Sequence, residues 1–123
     1  MPRLALAVTL ALAAAPVLAR DEAVPAAVPA GPVVDCISIV GLRSQVRSDD
    51  VIDFTAGRRT WRNTLPAGGC PSLGFERRFA YATSLSQLCS SDIITVLQGP
   101  GIRRGASCGL GKFQPIERAK SRR

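Results

Sequence analysis

The sequence predicts an all-β or mainly β domain, a small antiparallel barrel or sandwich of five to six short strands stapled by disulfides. Three observations carry that expectation. No window sustains a helical period, while short β-branched and aromatic runs alternate with Gly- and Pro-rich breaks. The cysteines are four, an even count: Cys36, Cys70, Cys89 and Cys108. All four follow an N-terminal stretch with the form of an export signal, which places them in an oxidising compartment.

That stretch is taken first. Met1-Pro2-Arg3 is a short positive start, Leu4 to Leu18 is apolar, and Val17-Leu18-Ala19 suits a signal peptidase. Residues 1–19 are therefore expected to be a signal peptide cut before Arg20. A retained anchor is the competing reading, but the apolar run is 15 residues with Pro16 inside it, and a spanning helix needs about 20. No other segment is long and apolar enough to span. Residues 20–32, rich in Pro and Ala, read as a flexible or extended tether. Residues 33–118 form one β-rich domain, and the basic residues 119–123 are expected to be disordered.

Within the domain, Cys36 to Val40 reads as the first strand. Val51 to Ala56 and Thr60 to Leu65 flank Gly57-Arg58, a two-residue turn with Gly first, as a type II′ hairpin requires. Paired residues then sum to 115. Phe54 opposes Trp61 on one face and Asp53 opposes Arg62 on the other, so one register satisfies an aromatic pair and an ion pair together. Phe54 and Trp61 are assigned to the core. Arg77 to Thr83 alternates, with Phe79 and Tyr81 on one side. Ser84-Leu85-Ser86-Gln87 has the spacing of a capping box and predicts a helical turn leading into Cys89. Ile93 to Leu97 reads as a buried strand, Ile102 to Gly105 as a basic loop, and Leu110 to Ile116 as the last strand.

The chemistry is defined largely by what is missing. There is no histidine, which removes Ser-His-Asp and Cys-His catalysis, His-containing zinc sites and c-type haem attachment. The cysteines lie 34, 19 and 19 positions apart, so neither a Cys-x-x-Cys redox motif nor paired zinc-ligand spacing is present. Two structural disulfides are expected. Three connectivities are open; Cys70–Cys89 with Cys36–Cys108 is favoured, tying a loop to the capped turn and the two domain ends to each other. Asp49, Asp50, Asp53 and Asp92 form no clear catalytic pair, and Asp92 is expected to bond local backbone. Gly105 to Lys112 imitates a phosphate-binding loop, but the spacing is one residue too long and Phe113 stands where Ser or Thr would bind metal. No cofactor and no metal site are expected.

The charge is strongly positive, with 16 Lys and Arg against 9 Asp and Glu, and fourteen of the cations are Arg. Arginine favours bidentate contact with phosphate or carboxylate. The candidate anion contacts are the pairs Arg58 and Arg59, Arg77 and Arg78, and Arg103 and Arg104. Arginines also interleave with aromatics at 58–62 and 75–81. The core needs most of the six aromatics and export removes the chain from cellular nucleic acid, so nucleic acid is not the expected partner.

One ordered set of residues is familiar. Cys36-Ile37-Ser38 is followed by Trp61-Arg62-Asn63-Thr64-Leu65-Pro66 and Cys70-Pro71-Ser72-Leu73. Arg78-Phe79-x-Tyr81, Leu88-Cys89-x-x-Asp92-x-Ile94-x-Val96 and Cys108-x-Leu110-Gly111-x-Phe113 come next. Together they resemble an uncharacterised family of small exported proteobacterial proteins, over roughly Val33 to Ile116. The resemblance implies a periplasmic or envelope setting and supplies no activity, cofactor or catalytic residue.

The expected function is that of an exported, non-enzymatic binding or structural module of the cell envelope, with an anionic envelope component or a secreted protein as partner. The alternative is an inhibitor of a secreted hydrolase, with Gly101-Ile102-Arg103-Arg104-Gly105 presenting arginine to a trypsin-like pocket.

Overall fold

The computed structural model describes residues 24–83 and 85–118, together with Ala5 and Ala11. The expected signal peptide (those two positions aside), residues 20–23 of the expected tether, Ser84 and the expected tail lie outside the described residues. In chain order the elements are β1 (Ala27–Pro29), β2 (Cys36–Ser38), β3 (Arg43–Val46), β4 (Val51–Ala56), β5 (Arg59–Thr64), α1 (Leu73–Glu76), β6 (Phe79–Tyr81), β7 (Gln87–Cys89), β8 (Ile93–Gln98), β9 (Arg103–Gly109) and β10 (Phe113–Arg118). They form antiparallel sheets of five strands (β1-β10-β5-β4-β3), three strands (β6-β8-β9) and two strands (β2-β7). The fold is mainly β and disulfide-stabilised. None of these sheets closes on itself, so the layers face each other across a core as in a sandwich.

The β4–β5 hairpin has the expected register: Phe54 opposes Trp61, Asp53 opposes Arg62 and Ala56 opposes Arg59. Gly57 takes φ 59° while Arg58 stays out of the left-handed region, as a type II′ turn demands. Because side chains alternate, Ile52 and Phe54 face inward and Asp53 faces the opposite side of the sheet. β10 extends both inner rows, placing Phe113 beside Asn63 and Pro115 beside Trp61.

One hydrophobic cluster joins all three sheets. Ile52, Phe54 and Phe113 of the large sheet meet Ile94 and Val96 of β8, Leu88 of β7, Ile37 of β2 and Leu73 of α1. Phe54 is fully buried and packs edge-on against Phe113 and Phe79, with ring centroids 5.6 and 6.3 Å away. Each such aromatic pair adds about 1 kcal/mol beyond the area it buries. Asn63 lies in the inner wall between Ile52 and Phe113, yet both ends of its amide are bonded. Its Nδ2 donates to the Gly111 carbonyl (2.7 Å) and its Oδ1 accepts the Gly111 N–H (2.8 Å). A Cβ at Gly111 would overlap the Thr64 carbonyl. The glycine that imitates a phosphate loop in sequence is therefore a close-packing position between β5 and the β9–β10 connection.

The disulfides correct the favoured pairing. They join Cys36 to Cys89 and Cys70 to Cys108, not Cys70 to Cys89 and Cys36 to Cys108. The reason is strand register: Cys36 and Cys89 are directly opposed in the β2–β7 ladder, with Cα atoms 4.0 Å apart. The second bond ties the loop ahead of α1 to β9, with Cα atoms 5.8 Å apart. The sequence separations are 53 and 38, so each bond constrains the unfolded chain by about 4 kcal/mol in the chain-entropy account.

Other elements also depart from expectation. Ala27–Pro29, inside the expected tether, is an edge strand on β10, a location that tolerates proline. Gln87, expected to close a helical turn, instead opens β7, whose partner β2 offers it a ladder. Ile93 to Leu97 is not buried throughout: Ile93 is exposed while Ile94 and Val96 are fully buried. Its sheet covers the core with one face only. Tyr81 is likewise largely outside the core that Phe79 joins. The expected basic loop at 102–105 is mostly strand, since β9 begins at Arg103 and pairs with β8 through a bulge between Thr95 and Leu97. Among the described residues no helix is long and apolar enough to cross a membrane. The two disulfides are consistent with an extracytoplasmic protein.

Candidate anion-binding surface

The six candidate arginines occupy three different environments. Arg58 and Arg59 sit at the β4–β5 turn, where the Arg59 guanidinium lies 5.4 Å from the centroid of the Trp61 ring. That cation–π contact explains the basic–aromatic interleaving at 58–62, with Trp61 buried and Arg59 covering it. Arg104 opposes Leu97 in the β8–β9 ladder. It borders an open hollow of about 460 Å³ on the solvent side of the three-stranded sheet, beside Asp92, Ile93 and Thr95. An arginine held in a ladder is not presented on a protruding loop.

Arg78 and Arg103 are brought to one joint although they are far apart in sequence, with Arg77 preceding Arg78 in the chain. α1 lasts one turn because Arg77 adopts the left-handed conformation, φ 57°, and its N–H closes onto the Leu73 carbonyl. The chain then turns into β6 beside the end of β8, with the Leu97 N–H donating to the Arg78 carbonyl. This places the Arg78 guanidinium against the β8–β9 turn. Its Nη1 donates to the Gly99 carbonyl (2.9 Å) and its Nη2 to the Gly101 carbonyl (2.8 Å). From the same side, Glu76 Oε2 accepts the Gly99 N–H at 3.2 Å. The turn is thus clamped by one cation and one carboxylate. Arg103 follows it and lines a hollow of about 340 Å³ with Gln98, Gly99, Pro100 and Gly101. Arg78 and Arg103 thus stand at this joint with Glu76 as the carboxylate that contacts it, which leaves a local excess of positive charge.

A second group of arginines lies on the outer face of the five-stranded sheet and is of a different kind. Asp53 is 3 % exposed. Arg62 grips it through Nε on Oδ1 (2.9 Å) and Nη2 on Oδ2 (3.1 Å), and Arg47 Nε reaches Oδ2 at 3.0 Å. Burial alone would raise the Asp53 pKa and is the largest single influence; the hydrogen bonds and charges of Arg62 and Arg47 together outweigh it, so the carboxyl titrates below its ordinary 3.8. Arg62 Nη2 also donates to the Pro25 carbonyl (2.9 Å), fastening the segment ahead of β1. The Asp53–Arg62 pair was legible in the sequence; Arg47 was not. The alternation Arg43-x-Gln45-x-Arg47 along one strand face is the signal that could have found it.

The other three candidate carboxylates make local contacts. Asp49 Oδ1 accepts the Gly74 N–H (2.7 Å), Asp50 Oδ1 accepts the Ser48 hydroxyl (2.6 Å), and Asp92 Oδ2 accepts the Cys89 N–H (2.7 Å). The bond at Asp92 is the local backbone contact expected of it. Among the described residues no group of three or more His, Cys, Asp or Glu side chains is placed to hold a metal ion. No protein-family model, no curated protein and no solved structure matches this chain.

Proposed function

We propose that this chain is an exported, non-enzymatic module of the cell envelope that binds an anionic partner at the β8–β9 turn. One observation carries the reading. The fold gathers Arg78 and Arg103 at a joint whose backbone is already held by Arg78 and Glu76. A cationic surface that is rigid before binding loses little entropy when it engages an anion, and guanidinium groups match phosphate and carboxylate geometry. Catalysis is no part of the proposal, because Asp49, Asp50, Asp53 and Asp92 each serve a local contact. Export is part of it, supported by the signal-like residues 1–19 and the disulfides.

Thermal unfolding of the oxidised protein with dextran sulfate, at low and at moderate salt, tests the reading. The expected result is a rise in Tm that fades as salt increases and is absent in Arg103→Glu. A Tm that does not respond to the polyanion at either salt concentration overturns it.

A further inference from the structure

We infer that the anionic partner is the headgroup face of a lipid bilayer, and that Phe75 and Ile102 enter it. The inference rests on the anionic-partner reading above and names the class of surface. Phe75 is 87 % exposed and Ile102 is 83 % exposed, the two most exposed large apolar side chains among the described residues. Single exposed apolar side chains are ordinary on a protein surface. These two belong to one place. Phe75 precedes Glu76, which binds the Gly99 N–H, and Ile102 follows Gly101, whose carbonyl binds Arg78. They therefore flank the same clamped joint, with exposed Pro100 between the contacts and Arg78 and Arg103 beside it.

Apolar tips inside a cationic frame match the chemistry of an anionic bilayer. The aromatic and aliphatic groups settle at the boundary of headgroups and acyl chains while guanidinium groups meet the phosphates. A fully water-soluble polyanion would use the arginines and leave both apolar groups in water. Val40 provides a comparison: it is 76 % exposed, but it belongs to the β2–β3 connection and takes part in none of the contacts that build this joint.

The test uses the oxidised full chain, phosphatidylglycerol–phosphatidylcholine vesicles, phosphatidylcholine vesicles and dextran sulfate. The apolar run Leu4–Leu18 is common to every arm, so a reporter at the joint itself is needed. The Phe75→Trp variant supplies it, since the native Trp61 is buried. Its added emission should shift to the blue with the anionic vesicles, be quenched by bromo-acyl lipid, and stay unmoved with dextran sulfate. Phe75→Ser and Ile102→Ser should each weaken binding to anionic vesicles about tenfold without changing binding to dextran sulfate, and Val40→Ser should change neither. Binding to dextran sulfate with no emission shift on anionic vesicles overturns the lipid inference and leaves the anionic reading standing. Failure to bind either probe overturns both.

Discussion

On the outer face of the five-stranded sheet, Arg47 and Arg62 are largely buried and close on a single carboxylate. At the β8–β9 turn, Arg78 gives its donors to backbone carbonyls, and the exposed Arg103 side chain makes no hydrogen bond or ion pair among the described residues. The residue type is the same, and the two regions lie within one small domain. What separates them is the neutralisation of charge. Around Asp53 a buried anion would be costly alone, and two guanidinium groups offset that cost. Around the turn Arg78 gives its donors to neutral backbone carbonyls and the exposed Arg103 side chain meets no carboxylate among the described residues, so their charge faces solvent. The first arrangement holds strands together; the second leaves a field for something else to neutralise.

The largest test of this contrast is Asp53→Asn. Removing the charge leaves Arg47 and Arg62 facing each other in a nearly closed site, and we expect a loss of about 3 kcal/mol in urea unfolding. An unchanged midpoint would mean that the buried triad is not structural.

The same site has a pH signature of defined sign. The folded-state pKa of Asp53 lies below its ordinary value of 3.8, so its contribution is fully present above the unfolded-state pKa. It disappears as the pH falls through the lower folded-state value. Wild type should therefore lose its advantage over Asp53→Asn below about pH 4, and a difference that is flat across that range would contradict the assignment.

A smaller effect is expected at Arg78→Ala, which frees the Gly99 and Gly101 carbonyls to water. Stability should fall by about 1 kcal/mol, and binding to dextran sulfate should fall with it. The least disturbing change should be Arg103→Ala. Its urea midpoint should match wild type while polyanion binding weakens; a large drop in midpoint would turn Arg103 into a structural residue and erase the contrast.

Different parts of this architecture were legible for different physical reasons. The β4–β5 hairpin could be read because Phe54–Trp61 and Asp53–Arg62 demand the same register, and only one turn geometry supplies it. β1, β3 and β9 could not. They are edge strands, and their residues (Ala-Val-Pro, Arg-Ser-Gln-Val, and the small polar run from Arg103 to Gly109) carry no apolar alternation. Their neighbours supply the apolar face. The disulfide pairing was hidden because it follows from β2 lying against β7: the strand at Cys36 was legible, but its three-residue partner Gln87–Cys89 read as a helical turn. The arginine pairs were visible as pairs. The meeting of Arg78 with the turn before Arg103 was not, since it depends on one turn of helix ending at a left-handed Arg77.

The most direct test is backbone amide mapping by heteronuclear NMR of the oxidised protein titrated with dextran sulfate at low salt. If the β8–β9 turn is the binding region, shifts will concentrate at residues 75–78 and 99–104 and leave Arg47, Asp53 and Arg62 unperturbed. Shifts centred on the Asp53 face, or spread evenly over every exposed arginine, would contradict the division of labour between the two arginine groups.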